Sequence, residues 1–266
     1  MTRIVIIGAA GRMGQVLIRC GLRSKDVQLV GAIEAAGCPA VGKDAGLNAG
    51  AQEAGVKIGS DLRRVAASAD VLVDFTFHSA VPGNAVIAAE LKKAMVLGTT
   101  GLTGDEKAAV EKAAKIVPIV WAPNMSVGVN LLFSMVEKAA AALGMAYDVE
   151  IVEMHHRLKK DAPSGTALRL GEKVAAGRGQ DFKTAAVHGR DGLVGERPPG
   201  EIGIHAVRGG DAVGDHTVLF ATEGERLEFT HRASSRDGLA MGALRAAVWL
   251  GGRKPGLYDM QDVLGL

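Results

Sequence analysis

From residue 3 to about residue 142, short apolar runs alternate with segments in which apolar positions recur with the period of an α-helix. The apolar runs predict strands over residues 3–7, 27–33, 71–75, 95–97 and 116–121. The segments between them predict helices over residues 12–22, 79–93 and 103–115, with a further helix after Asn130. Strands that alternate with helices are typical of βαβ units, which build one twisted parallel sheet. Residues 35–60, rich in Gly and Ala without a clear period, should form loop with short helical pieces.

After about residue 147 the pattern changes to alternation with period two. Residues 201–208, 216–222 and 226–232 alternate small or apolar with polar side chains, as half-buried strands of an open, largely antiparallel sheet do. We therefore predict an α/β protein with a Rossmann-type doubly wound parallel sheet in residues 1–127 and a second, α+β domain with an open mixed sheet in residues 128–236. Helical spacing returns over residues 239–250, and we expect segment 237–266 to pack back on the first domain. Residues 177–200 should include a mobile loop.

Composition and charge narrow the class of protein. The 31 Lys and Arg nearly balance the 29 Asp and Glu, and a net charge of +2 argues against a nucleic-acid binder or a membrane-surface protein. Two cysteines, Cys20 and Cys38, are too few for a disulfide scaffold, so we expect a reducing compartment. The chain shows neither a signal-peptide h-region nor an unbroken apolar stretch of roughly 20 residues, which predicts a soluble, cytoplasmic protein.

The first chemical motif is a strand, a glycine turn and a helix start at residues 4–14, which read IVIIGAAGRMG. Glycines let the backbone approach a pyrophosphate, and the helix N-terminus offers unpaired N–H groups to the phosphates. Glu34 ends the next strand, about 20 residues beyond the last glycine, where an acid can accept hydrogen bonds from ribose hydroxyls. Together they predict a dinucleotide site. The alternatives are a purely structural glycine turn and a solvated carboxylate at Glu34.

Two further turns, GTTG at residues 98–101 and APNMS at residues 122–126, follow later strands. In a doubly wound sheet such turns lie at the carboxyl edge, where ligands bind at the topological switch point. Isolated tetrapeptides of this kind are often ordinary turns. Their position in the strand order leads us to predict that their backbone groups orient a nicotinamide ring.

The most informative stretch is EMHHRLKKDAPSGTA at residues 153–167, which places two imidazoles and three cations within six positions. Pro163 excludes a continuous helix, and Ser164 is a good N-cap for a helix whose free N–H groups can hold a carboxylate. In an extended segment His155 and His156 face opposite sides, so we expect different roles. One imidazole can act as an acid near neutral pH, and Lys159 can supply a second proton or a fixed positive charge.

This stretch has three alternative interpretations. A solvated basic loop is the common explanation of such a run. A zinc site is disfavoured because adjacent histidines rarely ligate one metal and three cations lie beside them, so no metal is predicted. Nucleic-acid binding through HHRLKK is opposed by the near-neutral net charge and by the lack of interleaved aromatic residues.

Taken in order and spacing, the motifs GAAGRMG, GTTG, APNMSVGVN and HHRLKKDAPSGTA resemble the 4-hydroxy-tetrahydrodipicolinate reductase family over nearly the whole chain. The resemblance implies that His155 is a proton donor or acceptor and Lys159 a proton donor, while His156, Gly165 and Thr166 hold substrate carboxylates. It further implies cofactor contacts from Gly8, Ala9, Ala10, Gly11, Arg12, Met13, Glu34, Gly98, Thr99, Thr100, Ala122, Pro123, Asn124 and Met125.

The resemblance also implies NADH or NADPH as cofactor, a small cyclic dicarboxylate as substrate, a substrate domain whose sheet builds a homotetramer, and a step of lysine and diaminopimelate biosynthesis.

The residue after the acid differs from that of some family members. Some members carry Arg directly after the acidic residue to pair with a 2′-phosphate, whereas Ala35 and Ala36 follow Glu34 here. Arg12 remains a candidate phosphate partner, and we expect NADH to be used at least as well as NADPH. Another Rossmann-type imine or semialdehyde reductase and a non-catalytic dinucleotide sensor stay open as alternatives.

Overall fold

The structure is a computed structural model that describes all 266 residues, and the chain divides into two compact units. The first unit comprises residues 1–127 and 236–265, and the second comprises residues 128–235. In chain order the strands are β1 Thr2–Ile7, β2 Val27–Ile33, β3 Ile58–Gly59, β4 Val71–Asp74, β5 Ala94–Leu97, β6 Pro118–Trp121, β7 Asp148–His155, β8 Ala186–His188, β9 Ile202–Arg208, β10 Gly214–Thr222, β11 Glu225–Ala233 and β12 Gly256–Tyr258. The helices are α1 Arg12–Arg23, α2 Ala45–Asn48, α3 Leu62–Ala66, α4 Val81–Glu90, α5 Gly104–Ala114, α6 Val127–Leu143, α7 Gly165–Arg178, α8 Phe182–Ala185, α9 Asp237–Trp249 and α10 Met260–Leu264.

The first unit contains a seven-stranded sheet in the order β12-β6-β5-β4-β1-β2-β3, and every pair of neighbouring strands is parallel. The strand order reverses beside β1, which lies between β4 and β2. In open parallel sheets ligands bind at the carboxyl ends of the strands near such a reversal. The predicted doubly wound parallel sheet is confirmed.

Helices cover both faces of this sheet because its strands carry apolar residues on both sides. Ile4 and Ile6 of β1 pack in one core with residues of α1 and α9, whereas Val5 and Ile7 pack in another with residues of α3, α4 and α5. Helix α9 approaches the 122–126 turn so closely that a Cβ atom at Gly242 would lie 1.7 Å from the carbonyl oxygen of Met125. Residues 236–265 therefore belong to the first unit.

The second unit contains a five-stranded sheet in the order β11-β10-β7-β9-β8. Its inner face packs on α6 and α7, and β10 shows the period-two pattern clearly, with His216, Val218 and Phe220 buried. The sheet is mixed, as predicted, but only half of its strand pairs are antiparallel: β7 with β10 and β10 with β11. The pairs β7 with β9 and β8 with β9 are parallel, because α7 returns the chain to the start of β8 and residues 189–201 return it again to the start of β9.

Several elements were not predicted. Strands β3, β8 and β12 contain three residues or fewer and give no periodic signal. β7 reads DVEIVEMH, and its core-facing positions include the polar residues Glu153 and His155, which hides the alternation of apolar side chains. The helix that was predicted after Asn130 begins earlier, at Val127, and the 35–60 segment contains β3 as well as a short helix.

Residues 127–146 form one helical stretch that is long and apolar enough to satisfy the length and composition expected of a membrane span. Charged residues Glu137 and Lys138 interrupt it, and Phe133 and Val136 lie in the core of the second unit. Packing against the five-stranded sheet accounts for its apolar composition, as in the core helix of a globular domain.

Replacing Gly14 with Ala should destabilise the first unit, because a Cβ atom there would lie 2.1 Å from the carbonyl oxygen of Gly8 and 2.8 Å from the Cα of Ala9. We expect the free energy of unfolding to fall by roughly 1–3 kcal/mol, as in other overpacked sites. The matched control is Gly83→Ala in α4, where a Cβ atom meets nothing within 4 Å, and this change should stabilise by up to roughly 1 kcal/mol. Urea unfolding measures both, and equal effects would contradict the account.

Candidate active site

The glycine turn between β1 and α1 lies at the carboxyl edge of the parallel sheet. Gly8 has a φ of 83°, which a side chain would strain, and its N–H donates to the carbonyl oxygen of Ile33 at 2.9 Å. The N-cap of α1 is Gly11, with no side-chain hydrogen bond to the first turn of the helix. Arg12 is exposed and Met13 is half-buried at that end. The first N–H groups of α1 are therefore not capped by a side chain and can bind an anion.

Glu34 joins this turn to the end of β2. One carboxylate oxygen accepts the N–H of Ala10 at 2.9 Å and the other accepts the N–H of Ala35 at 3.0 Å. The side chain lines a cleft of about 600 Å³ together with Gly8, Thr76 and Phe77. The carboxylate is thus fixed at the cleft by two backbone N–H groups, and its remaining lone pairs can accept further hydrogen bonds.

The GTTG turn follows β5 at the same edge. Gly98 lies against the ring of Phe75, where a Cβ atom would approach ring carbons to 2.2 Å. Thr99 is buried, and its hydroxyl donates to the carbonyl oxygen of Thr76 at 3.0 Å, whereas Thr100 is exposed. The side chain of Thr99 is therefore structural, and the turn can offer backbone groups and Thr100 to a ligand.

The APNMS turn follows β6. The N–H of Ala122 donates to the carbonyl oxygen of Leu97 at 3.2 Å, and the side-chain oxygen of Asn124 accepts the N–H of Ser126 at 2.9 Å. Met125 is buried in the core and Pro123 is exposed. All fourteen predicted cofactor residues therefore belong to the first unit, and their turns follow β1, β2, β5 and β6 of one parallel sheet.

Sequence reasoning missed Asp74, which ends β4 and is fully buried. Its carboxylate accepts the N–H and the hydroxyl of Thr76 at 2.8 and 2.7 Å and the amide of Asn84 at 2.8 Å. Burial raises the pKa of Asp74, although these hydrogen bonds oppose the effect. Asp74 orients two side chains that line the cleft, Thr76 and Asn84. Only its place at a strand end next to a turn could have suggested this role.

In the second unit, β7 ends at His155, whose ring lies on the inner face of the sheet and is 9% exposed. Nδ1 of His155 is 2.5 Å from Oε2 of Glu153. The Glu153 carboxylate is fully buried and also accepts the N–H of Ser164 at 2.9 Å and two N–H groups of Arg208 at 2.9 and 2.8 Å. One buried anion therefore holds groups from β7, β9 and the start of α7.

The ionisation of Glu153 follows from these partners. Burial is the largest single effect and opposes the charge, but hydrogen bonds from Arg208, His155 and the Ser164 N–H outweigh it and lower the pKa of Glu153. Arg208 in turn has its pKa raised by Glu153. The pair is an ion pair near neutral pH.

The loop after β7 is held by backbone hydrogen bonds. The N–H of His156 donates to the carbonyl oxygen of Ala212 at 2.8 Å, and Nδ1 of His156 accepts the N–H of Leu158 at 3.2 Å. The Lys159 ammonium is paired with the Asp161 carboxylate at 2.8 Å, and its side chain is 20% exposed. His156 and Lys159 are therefore half-buried groups in a fixed loop rather than members of a freely solvated basic run.

Helix α7 begins directly after this loop. Ser164 is the N-cap, and its hydroxyl oxygen accepts the N–H of Ala167 at 3.2 Å. Gly165 and Thr166 are the first two residues of the helix, where the backbone dipoles favour an anion. A Cβ atom at Gly165 would meet nothing within 4 Å, so the helix end is open on that side.

His216 of β10 is a second residue that sequence reasoning missed. Its ring makes an edge contact with His155, with ring centroids 5.2 Å apart, and its Nε2 is 3.1 Å from the hydroxyl of Ser164. Nδ1 is buried without a hydrogen-bond partner. Burial, together with the nearby charge of His155, lowers the pKa of His216 to about 4. His216 is therefore a neutral, hydrogen-bonded neighbour of His155 at neutral pH. Its only signal in the sequence was a polar residue at a core-facing position of a strand.

The five predicted catalytic and substrate residues all belong to the second unit and lie at the end of β7, in the loop after it and at the start of α7: His155, His156, Lys159, Gly165 and Thr166. The chain has no group of three or more His, Cys, Asp or Glu side chains placed to hold a metal ion. The arrangement combines an imidazole ring, an ammonium group and a helix N-terminus, which can bind a carboxylate and transfer a proton.

Comparison with known proteins gives the same result for both halves of the chain. The family described as "Dihydrodipicolinate reductase, N-terminus" matches residues 2–125, and "Dihydrodipicolinate reductase, C-terminus" matches residues 128–264. The 4-hydroxy-tetrahydrodipicolinate reductase of Anaeromyxobacter dehalogenans (strain 2CP-C) is 53% identical over 266 residues, which cover 100% of this chain and 98% of the relative. The enzyme of the same name from Syntrophotalea carbinolica is 52% identical, with 100% of both chains covered.

Solved structures share the fold. A dipicolinate-bound dihydrodipicolinate reductase from Paenisporosarcina sp. TG-14 superposes with a TM-score of 0.77 at 24% identity, covering 98% of each chain. An amine dehydrogenase from Mycobacterium smegmatis reaches 0.60 at 14% identity, covering 97% of this chain and 95% of the other. At these identities the structural similarity shows the fold alone.

Protonation of His216 should make folding sensitive to acid. The pKa of about 4 in the folded protein lies below the ordinary value of 6.5, so the unfolded chain binds a proton that the folded chain does not. The free energy of unfolding should therefore fall as the pH decreases from about 6.5 to about 4, by roughly 3 kcal/mol at the lower end.

Urea unfolding at several pH values measures this effect in the wild type and in His216→Gln, which keeps a polar atom near Ser164. The variant should lose less stability between pH 6.5 and 4.5, whereas His188→Gln, at an exposed position in β8, should behave as the wild type. If the free energy of unfolding changed equally with pH in the wild type and in His216→Gln, the burial of a neutral imidazole would be contradicted.

Proposed function

The chain belongs to the dihydrodipicolinate reductase family, and we propose that it reduces 4-hydroxy-tetrahydrodipicolinate to tetrahydrodipicolinate with loss of water, using NADH or NADPH, in lysine and diaminopimelate biosynthesis. The family matches both halves of the chain, and relatives with this activity in their name are more than half identical over its full length. The observation that carries the proposal is the cluster at the end of β7. There Glu153 binds both His155 and the N-cap residue of α7, Ser164, and Lys159 lies in the loop between them.

The residues of the first unit fit a nicotinamide dinucleotide. The uncapped start of α1 suits the pyrophosphate, and Glu34 in the cleft of about 600 Å³ suits the adenosine ribose. The turns at residues 98–100 and 122–125 would orient the nicotinamide end through their backbone groups. When bound, the nicotinamide supplies the hydride.

The residues of the second unit fit a small dicarboxylate. We assign the substrate carboxylates to His156 and to the N–H groups of Gly165 and Thr166. Addition of hydride to an imine conjugated to a carboxylate builds negative charge, which an adjacent acid or cation must neutralise. His155 would exchange a proton through Nε2, because Nδ1 is bound to Glu153. Lys159 would deliver a proton or hold the developing charge.

Two properties of the assembly belong to the same proposal. The outer face of the five-stranded sheet is not covered by a helix of its own unit, and it exposes Val152 and Val207. We propose that this face builds a homotetramer. Both cysteines are free thiols, which is consistent with work in the reducing cytoplasm, where we place the enzyme.

Lys159→Ala should lower kcat by roughly 10²-fold or more, because a positioned acid typically contributes 10²- to 10⁴-fold in rate. The affinity for NADH, measured by fluorescence titration, should stay nearly constant because Lys159 lies in the other unit from the cofactor residues. The assay follows NADH absorbance with freshly made 4-hydroxy-tetrahydrodipicolinate, and pyridine-2,6-dicarboxylate should inhibit the reaction. Lys160→Ala, at an exposed neighbouring position, is the matched control. Equal, mild losses in both variants would exclude a catalytic Lys159.

NADH should be used at least as well as NADPH. Ala35 follows Glu34 and offers no charge to a 2′-phosphate, and the guanidinium of Arg63 on the cleft wall is already paired with Glu90 at 2.5 Å. Ala35→Arg should raise kcat/KM for NADPH relative to NADH by about tenfold through one charge-assisted contact. The ratio of kcat/KM for the two cofactors, measured in the wild type and in Ala35→Arg, tests both predictions. A large NADPH preference in the wild type would contradict them.

A further inference from the structure

We propose that Glu153 is a positioning residue of the reductase, whose buried carboxylate selects the protonated-Nδ1 form of His155 and holds the N-terminus of α7 beside it. The inference rests on the proposed function, which makes His155 the group that exchanges a proton with the substrate. It concerns a residue that touches neither substrate nor cofactor in that assignment.

The hydrogen bonds of Glu153 define the form of His155. Oε2 lies 2.5 Å from Nδ1 of His155 and 2.9 Å from Nη1 of Arg208. Oε1 accepts the Ser164 N–H at 2.9 Å and Nη2 of Arg208 at 2.8 Å. The three N–H groups of Arg208 and Ser164 keep the carboxylate ionised, and an ionised carboxylate can only accept, so the short contact assigns a proton to Nδ1 of His155. Nε2 is then the atom that gains and loses the second proton.

The neighbouring strand leaves room at Nε2. Gly214 is the first residue of β10, and a Cβ atom there would lie 3.0 Å from Nε2 of His155. The protein offers Nε2 no hydrogen-bond partner, while the adjacent His216 is directed to the hydroxyl of Ser164. The ring is thus fixed through Nδ1 and open at Nε2, which is the arrangement that a proton-transfer residue needs.

The Glu153 carboxylate also links the His155 ring to the N-terminus of α7, to which we assign a substrate carboxylate. Ser164 is the N-cap of α7, and its N–H is held by Glu153 while its hydroxyl caps the helix. Arg208 extends the link to the loop, since Nη2 also donates to the carbonyl oxygen of Asp161, the residue whose carboxylate pairs with Lys159. Loss of the Glu153 charge should therefore disturb His155 first and the helix end second.

A second carboxylate on the same strand provides a natural control. Glu150 lies on the opposite face of the sheet and binds Arg190, Arg197 and His205, and these partners lower its pKa to about 2 despite its partial burial. Glu150 is bound by two guanidinium groups and an imidazole, whereas Glu153 is bound by one guanidinium group, an imidazole and a backbone N–H, and Glu150 does not contact His155. An effect that reflects only the loss of an ion pair in β7 should appear in both Glu150→Gln and Glu153→Gln.

The decisive measurement is the ¹⁵N spectrum of the histidine rings in the full-length protein, with His155 assigned by comparison with His155→Asn. In the wild type, neutral His155 should carry its proton on Nδ1. In Glu153→Gln a substantial fraction of the neutral His155 rings should carry the proton on Nε2 instead. In Glu150→Gln the proton should stay on Nδ1. A wild-type ring protonated on Nε2 would overturn the proposal without any variant, so the test does not depend on the folding of Glu153→Gln.

Kinetics supply the second readout. Glu153→Gln should lower kcat roughly 10²-fold and shift the limb of the pH profile that reports His155 to lower pH by about one unit, because the imidazolium loses its counter-ion. Glu153→Asp should restore part of kcat, and NADH affinity should not change. An unchanged tautomer and pH profile in Glu153→Gln would refute the positioning role. If the wild type failed to oxidise NADH with the substrate, the proposed function would fail, while the ring spectrum would still decide whether Glu153 positions His155.

Discussion

The buried carboxylate of Glu153 is the interaction on which the second unit's site depends. It is the common acceptor for the end of β7, for the end of β9 and for the N-cap of α7. Burial of such a charge is costly unless every acceptor position is used, and here four N–H groups use them. The cost constrains the geometry: the imidazole, the helix N-terminus and the loop that carries Lys159 cannot move independently without leaving a buried charge unpaired.

In the first unit, the backbone rather than a buried charge determines the geometry of the site. Glycines at positions 8, 14 and 98 allow close approaches that a Cβ atom would prevent. Two backbone N–H groups hold Glu34, the acid that we predict to bind the cofactor. The sequence predicted this unit well, because parallel strands buried on both faces give continuous apolar runs and the glycine fingerprint has a defined spacing. The positions of the site motifs in the strand order could be predicted for the same reason.

The second unit was harder to predict. The period-two pattern predicted a largely antiparallel sheet, but crossovers through α7 and through residues 189–201 make two of the strand pairs parallel. The residues that hold the site together, Glu153, Arg208 and His216, are polar groups at core-facing or strand-end positions, and they are scattered over three strands. No local pattern marks them, since their pairing exists only after the sheet has formed. The short strands β3, β8 and β12 were missed because two or three residues show no period.

The most direct test of this account is a crystal structure of the protein with NADH and pyridine-2,6-dicarboxylate. It should show a carboxylate within hydrogen-bond distance of the N–H groups of Gly165 and Thr166, with Nε2 of His155 directed at the ligand and Nδ1 still bound to Glu153. A dicarboxylate bound elsewhere, or a His155 ring that has turned away from Glu153 in the complex, would contradict it.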